Sequence, residues 1–337
     1  MRKTRKSRKS RSGSKPSVDV YQMVTDMIVS KLEEGVVPWH KPWAVKPGDD
    51  MGMFGPMGPA PRNLVSNKPY RGVNVFILGC QDHTSRYWLT YRQAHSLGGH
   101  VRKGEHGTMV VYWKFIRVSE EQDDGTKVSK RIPLLRYYTV FNLDQCEDVR
   151  VPRGRISDEP TVVPEPDAEP EPREDGFEMI EEAEAIVNAM PNRPEITYEG
   201  GRAFYRPSSD SVTVPERERF DSPAEYYNTL FHELVHATGH KSRVGRPGIM
   251  DSHFFGDHKY SREELVAEMG AAFLSAEAGT FEQTVDNSAS YIDNWMRAIK
   301  DDKKMVVVAA GAAQRAADYI CDRKREEDSQ EEQKEAA

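Results

Sequence analysis

Cysteine is scarce in this chain. Its 337 residues include three, Cys80, Cys146 and Cys321, far apart and without a CxxC pair. That spacing argues against a disulfide framework and against a cysteine zinc cage. A reducing, cytoplasmic compartment is expected. Long apolar runs are missing too. No stretch approaches the roughly 18–20 apolar residues of a transmembrane helix, so no membrane partner is expected. The basic N-terminus lacks the apolar segment of a secretory signal. Apolar residues make up 37%, charged residues 30%, and mean hydropathy is −0.72. This leaves enough apolar material for packed cores, with room for unstructured segments.

The net charge of −7 conceals a division. Residues 1–16 carry eight Lys/Arg and no acid, residues 17–157 carry 19 Lys/Arg against 15 Asp/Glu, and residues 158–337 carry 20 against 39. A basic front and an acidic back suggest two tasks, with polyanion contact assigned to the front.

Apolar spacing predicts a first helix from about Val18 to Glu34, stopped at Gly35. A loop rich in Gly, Pro and Met follows PWHKPW, and residues 70–80 form a short apolar run. Thr90-Tyr91-Arg92-Gln93 is a capping box for a short helix. Residues 109–118 and 133–143 read as strands, so the front half is α+β. Residues 158–175 hold five prolines and eight acids. That composition gives an extended, self-repelling linker and implies two halves with separate cores. Behind it, helices are expected near 177–190, 223–238, 262–278, 288–299 and 303–325, with a β segment near 196–214.

Residues 232–236 read HELVH. On a helix, positions i and i+4 share a face, so His232 and His236 can converge on one Zn²⁺. Glu233 then stands where a carboxylate can take a proton from activated water. Ser222-Pro223-Ala224-Glu225 is a capping box with proline at the first helical position, which starts the helix well before the motif. A catalytic zinc needs a third ligand. Ser242 stands where a metzincin would place a histidine, and His240 falls two residues early. Downstream, Glu263-Glu264-Leu265-Val266-Ala267-Glu268 resembles the glutamate helix of gluzincin-type peptidases. That resemblance implies Glu264 as ligand and Glu268 as the group orienting a ligand histidine. Two alternatives stay open: Ser261 and Glu264 also form a capping box, and Glu268 could itself be the ligand. Helical phase turns Glu263 about 100° away, toward solvent. His253, His258 and Tyr260 lie between the two helices, where any could line the site or polarise a carbonyl, and they read first as an ordinary polar loop.

Four of the five tryptophans lie between residues 39 and 113, interleaved with cations: Trp39-His40-Lys41-Pro42-Trp43, Tyr70-Arg71, Arg86-Tyr87-Trp88, Tyr91-Arg92 and Tyr112-Trp113-Lys114-Phe115. Aromatic rings stack unpaired bases while Lys and Arg track phosphates, which suits single strands without sequence preference. Residues 98–107 add a glycine-rich basic loop.

The runs Glu33-x-Gly35-x-x-Pro38-Trp39-x-Lys41-Pro42-Trp43, Asn67-x-Pro69-Tyr70-Arg71-Gly72-x-Asn74, Trp88-Leu89-Thr90-Tyr91-x-Gln93, Gly98-Gly99-x-Val101-Arg102-Lys103-Gly104 and Val140-Phe141-Asn142-x-x-Gln145 resemble the N-terminal single-stranded-DNA-binding domain of ArdC-type antirestriction proteins. HELVHATGH, the Glu263–Glu268 run and Ser290-Tyr291-Ile292-x-x-Trp295 resemble the zincin-like metallopeptidase domain that follows it. The resemblance implies an α+β DNA-binding domain and a mostly helical zincin-like domain. The expected layout is a disordered basic arm (1–16), the DNA-binding domain (17–150), the linker (151–176), the peptidase-like domain (177–325) and a charged tail (326–337). It implies Zn²⁺ on His232, His236 and Glu264, with Glu233 catalytic and Glu268 behind the ligands. DNA contacts are expected from Trp39, Lys41, Trp43, Tyr70, Arg71, Asn74, Trp88, Arg102, Lys103 and Trp113. Partners would be single-stranded DNA, double-stranded DNA as an alternative, and a protein substrate the sequence does not name. The implied task is protection of mobile-element DNA from restriction. The rival reading is a DNA-binding protein that shields passively around a structural metal.

Overall fold

The computed structural model describes residues 18–39, 60–81, 83–121, 127–153, 178–246, 258–280 and 289–323. The basic arm, Lys41, Trp43, the Gly/Met/Pro insertion, most of the 151–176 linker, His253 and the 326–337 tail lie outside the described residues.

Helix α1 (Val20–Glu33) starts at Asp19, whose carboxylate accepts from the Gln22 amide at 3.2 Å. Val20, Val24, Ile28 and Leu32 line its buried stripe, and Gly35 at φ +77° follows its end. A four-stranded sheet has the order β1 (Arg62–Asn63), β2 (Tyr87–Leu89), β5 (Lys127–Asn142), β4 (Thr108–Glu121). The apolar run at 70–80 contains helix α2 (Val73–Gly79), laid against β4. Thr90 and Gln93 close the expected capping box at the start of α3 (Tyr91–Ser96). A small antiparallel pair, β3 (His100–Val101) with β6 (Cys146–Glu147), completes the front half.

The back half begins with α4 (Glu181–Ala189) and a mixed sheet, β7 (Glu195–Tyr198), β9 (Ser211–Val214), β8 (Phe204–Arg206), with β9 central. Helices α5 (Pro223–Thr238), α6 (His258–Ala278), α7 (Ala289–Asp301) and α8 (Met305–Ile320) follow. Helix α6 packs on both α5 and α8. The observed mixture of helix and strand, with a sheet-bearing front and a mostly helical back, is the fold class the sequence implies. Among the described residues, no helix is long and apolar enough to cross a membrane.

The halves do not have separate cores. Val24, Ile28 and Leu32 of α1 and Phe76 of α2 belong to one buried cluster with Leu234, Leu274, Val306 and Ala313. Phe76 stacks on Phe273 of α6 with ring centroids 4.9 Å apart. Polar ties cross the same seam. The Thr25 hydroxyl donates to the Lys303 carbonyl at 2.9 Å, the Gly72 amide donates to Gln314 Oε1 at 3.2 Å, and Arg71 pairs with buried Asp318. A linker composition says only that the connection is extended. It says nothing of the apolar faces on either side, and α1 and α2 have more apolar surface than their own sheet covers.

Candidate metal centre and the surface around it

Helix α5 owes its start to Ser222, whose hydroxyl accepts from the Glu225 amide at 3.1 Å, with Pro223 at the first helical position. Glu225 lies in the first turn, where a negative charge complements the helix dipole. Tyr226, Tyr227, Leu230, Phe231, Leu234 and Val235 bury the helix on all sides but one. The remaining face presents His232 and His236, with Nε2 atoms 3.1 Å apart.

Helix α6 brings Glu264 to that face. Its Oε2 lies 3.5 Å from His232 Nε2, and its Oε1 lies 3.5 Å from His236 Nε2. The close approach depends on Gly270, where a Cβ would fall 2.6 Å from a methyl of Val235. Among the described residues, His232, His236 and Glu264 are the one group of three or more such side chains able to hold a metal ion. Tetrahedral coordination with bonds of about 2.0–2.1 Å needs donor atoms about 3.3 Å apart. The observed spacings of 3.1 and 3.5 Å fit that requirement. The three side chains are 13–26% exposed. Glu233, the next residue after His232, is buried.

The site's electrostatics favour a cation. Burial disfavours charge on His232, but the hydrogen bond to Glu264 and the charges of Glu268, Glu233 and Glu264 outweigh it and push its pKa up to about 9. His240 turns to Ser242, with its Nδ1 2.7 Å from the hydroxyl. His258 and Tyr260 lie on the first turn of α6 rather than in a loop.

Glu263 is not solvated as helical phase suggests. It is paired with Arg246 and stands 3.5 Å from His236 Nδ1. Periodicity places a Cβ; it does not show that a side chain from the connecting segment will meet it.

The expected DNA residues divide sharply. Trp39 is fully buried and set edge-on to Trp295 at 5.9 Å, and Trp88 is 2% exposed. As folded, neither ring offers a face to a base, because both fill cores that the aromatic count could not distinguish from platforms. Tyr70 is also buried, and Arg71 is held by Asp318. The Asn74 amide exchanges hydrogen bonds of 2.8 Å with both backbone groups of Val111, which makes it a brace for β4. Arg102 pairs with Glu105 at 2.7 Å, and Lys103 is exposed. Trp113 is 44% exposed.

Trp113 belongs to a surface larger than the sequence suggested. Strands β4 and β5 pair in unbroken register from Thr108↔Val140 to Glu121↔Lys127. Tyr112, Phe115, Ile116, Ile132, Tyr137 and Tyr138 are exposed on this ribbon, and Arg131 lies over the Phe115 ring at 3.9 Å. Lys114, Arg117, Lys130, Arg131 and Arg136 lie along it, and residues 108–119 and 128–142 contain no acid.

Comparison with known proteins places both halves. Residues 18–141 match the N-terminal domain of anti-restriction factor ArdC, and residues 181–312 match a zincin-like metallopeptidase family. Two Escherichia coli proteins named DNA primase TraC are 35% and 33% identical over 301 and 297 residues. The alignment spans 85% and 84% of this chain but only 19% and 25% of theirs. An uncharacterized protein, y4eC of Sinorhizobium fredii, is 32% identical over 85% of this chain and 86% of its own. The crystal structure of the antirestriction ArdC protein from the R388 plasmid in its metal-free form is 37% identical, covers 91% of this chain and all of its own, and superposes with a TM-score of 0.64. The Mn(II)-bound form of the same protein gives 36% identity and a TM-score of 0.67. Both halves, in this order and over most of the chain, therefore match one protein, and the chain belongs to the ArdC antirestriction family.

Proposed function

We propose that this chain is a single-stranded-DNA-binding antirestriction protein whose His232–His236–Glu264 centre holds a divalent metal, zinc by preference, and serves peptide hydrolysis. The observation that carries the reading is the spacing of the three donor groups, 3.1–3.5 Å, which suits one tetrahedral ion. The Mn(II) form of the R388 relative supports a divalent metal here. Bound at this site, such an ion supplies Lewis acidity that brings the pKa of water toward about 7. His232 and His236 present Nε2 lone pairs, and Glu264 contributes one negative charge. Glu233 accepts the proton of the attacking water and passes it to the leaving amine. Glu268 steadies His232 from behind through its charge.

Single-stranded DNA is assigned to the β4–β5 ribbon rather than to the buried tryptophans. Exposed rings offer stacking faces, and five cations on the acid-free stretches 108–119 and 128–142 follow the phosphates. Binding there raises the local concentration of the metal centre near proteins seated on the same strand.

The test separates hydrolysis from shielding. Glu233→Gln keeps size and removes the base; it should leave metal content and DNA affinity intact and lower any hydrolysis by about 10²–10⁴-fold. Loss of antirestriction in cells carrying Glu233→Gln supports the enzymatic reading. Full protection in that variant, with loss of protection when Trp113, Phe115 and Arg136 are replaced, overturns it in favour of passive shielding.

A further inference from the structure

We propose that Glu263 and Arg246 are positioning residues that fix the ring of His236, so that the second histidine of the motif has its own carboxylate held in place by an arginine. The proposal rests on the metal-site reading above and goes beyond it by naming what orients the ligand.

Arg246 lies eight residues past Thr238, the last residue of α5, and returns to that helix. Its Nη2 donates to the Val235 carbonyl at 2.7 Å, and its Nη1 donates to the Thr238 hydroxyl. The Val235 carbonyl is one of the four at a helix C-terminus that lack an intrahelical backbone donor, and it also accepts from the Thr238 hydroxyl at 2.7 Å. The Arg246 backbone amide also donates to the Gly239 carbonyl at 3.0 Å. The rest of the guanidinium faces Glu263 of α6: Nε lies 3.2 Å from each carboxylate oxygen, and Nη2 lies 2.5 Å from Oε1. One side chain therefore bolts the end of the histidine helix to the start of the glutamate helix. Arg246 is 8% and Glu263 18% exposed, so water competes little for either.

Glu263 Oε1 stands 3.5 Å from Nδ1 of His236, while Nε2 of the same ring faces Glu264 and His232. A carboxylate on the Nδ1 side selects the tautomer with its proton on Nδ1. That leaves the Nε2 lone pair aimed at the ion, the usual support for a ligand histidine. Arg246 holds the Glu263 carboxylate through its Nε and Nη2 and stops it from rotating into the metal position, where it would compete with Glu264. The planar fork matters here, because its three nitrogens reach the carboxylate and two α5 oxygens from separate points at fixed angles, which the single nitrogen of a lysine does not reproduce.

The experiment uses the full chain and zinc alone. Zn²⁺ affinity is measured against a chromophoric chelator for the unaltered protein, Glu263→Ala, Glu263→Gln and Arg246→Lys, with metal-free melting temperatures alongside. Nitrogen NMR of labelled histidine reads the His236 tautomer in the zinc-loaded state. Glu263→Ala and Arg246→Lys should weaken zinc about 10–100-fold. Glu263→Gln keeps an acceptor of the same reach and should recover most of that loss, with His236 protonated on Nδ1. Wild-type zinc affinity in Glu263→Ala would overturn the proposal. So would equal weakening in the Ala and Gln variants that tracks a fall in metal-free melting temperature, which marks a purely structural tie. If the unaltered chain takes up no zinc while folded, both this proposal and the metal reading beneath it fail.

Discussion

Replacing Gly270 with alanine tests whether the spacing of α5 and α6 sets the metal site. The added Cβ would lie 2.6 and 2.8 Å from the two methyls of Val235 and 3.3 Å from its Cβ. Carbon atoms in ordinary contact sit about 3.5–4.0 Å apart, so the helices must part by about 1 Å at the crossing. Alanine inside a helix is favoured over glycine by about 1 kcal/mol. Overpacking a buried contact costs about 1–3 kcal/mol. The net effect on stability should therefore be small, between zero and about 2 kcal/mol of destabilisation. The effect on the site should be larger. Glu264 is six residues from Gly270, about 9 Å along the same helix, while His236 is next to Val235. Metal bonds tolerate about 0.2 Å of misplacement, well short of a 1 Å displacement. Zinc affinity of Gly270→Ala, measured by chelator competition, should fall about 10-fold or more. Val235→Ala in the same chain removes the opposing methyls and should restore much of the affinity, a coupling expected of residues in contact. An unchanged zinc affinity together with a raised melting temperature in Gly270→Ala would refute the reasoning.

Phe76→Ala empties a fully buried site stacked on Phe273 and should cost about 3–5 kcal/mol. Denaturant unfolding followed by tryptophan fluorescence and by zinc release should show one shared transition, and two separated transitions would contradict the common core. Charge reversal at Lys114 and Arg136 together should weaken single-stranded DNA binding and flatten its salt dependence by about two counterions, as read from affinities across a salt series. Burial opposes ionisation of Asp210, but the hydrogen bonds from Arg243 and Tyr205 and the Arg243 charge hold its carboxyl below the usual range. Its contribution to stability is therefore present above the unfolded value of about 4 and lost as pH falls through the lowered value. Asp210→Asn should cost about 2 kcal/mol at pH 7, with the buried Arg243 left short of a partner, and progressively less in acid, as read by melting temperatures across pH.

Local rules were legible wherever one short segment decides the outcome. The Thr90 and Ser222 caps, Pro223 at the first helical position and the buried stripe of α1 all stand where propensity and period put them. The shared face of His232 and His236 followed from the spacing of a five-residue motif, while Glu264 came from the resemblance to a gluzincin glutamate helix, and the three side chains lie together. What the sequence concealed depends on distant contacts. Trp39 meets Trp295 across more than 250 residues of chain, and Arg71 meets Asp318. No period or composition reports such pairings, so core rings and an arginine tied to buried Asp318 looked like a DNA surface. Glu263 was obscured for the same reason, since Arg246 reaches it from outside either helix.

The seam where Phe76 meets Phe273 also bears on how the chain could be divided. Because the halves share an interior, a break between Arg153 and Glu178 would not produce two independent proteins. It would produce a pair of complementing fragments, each with an apolar face that only the other covers. Inside one chain the partner is always present at high effective concentration; after a cut, reassembly becomes bimolecular. Nicked protein should run as one species when concentrated and lose both halves together on dilution. A protease acting on the acidic, proline-rich run would thus make the molecule sensitive to its own abundance before altering its shape.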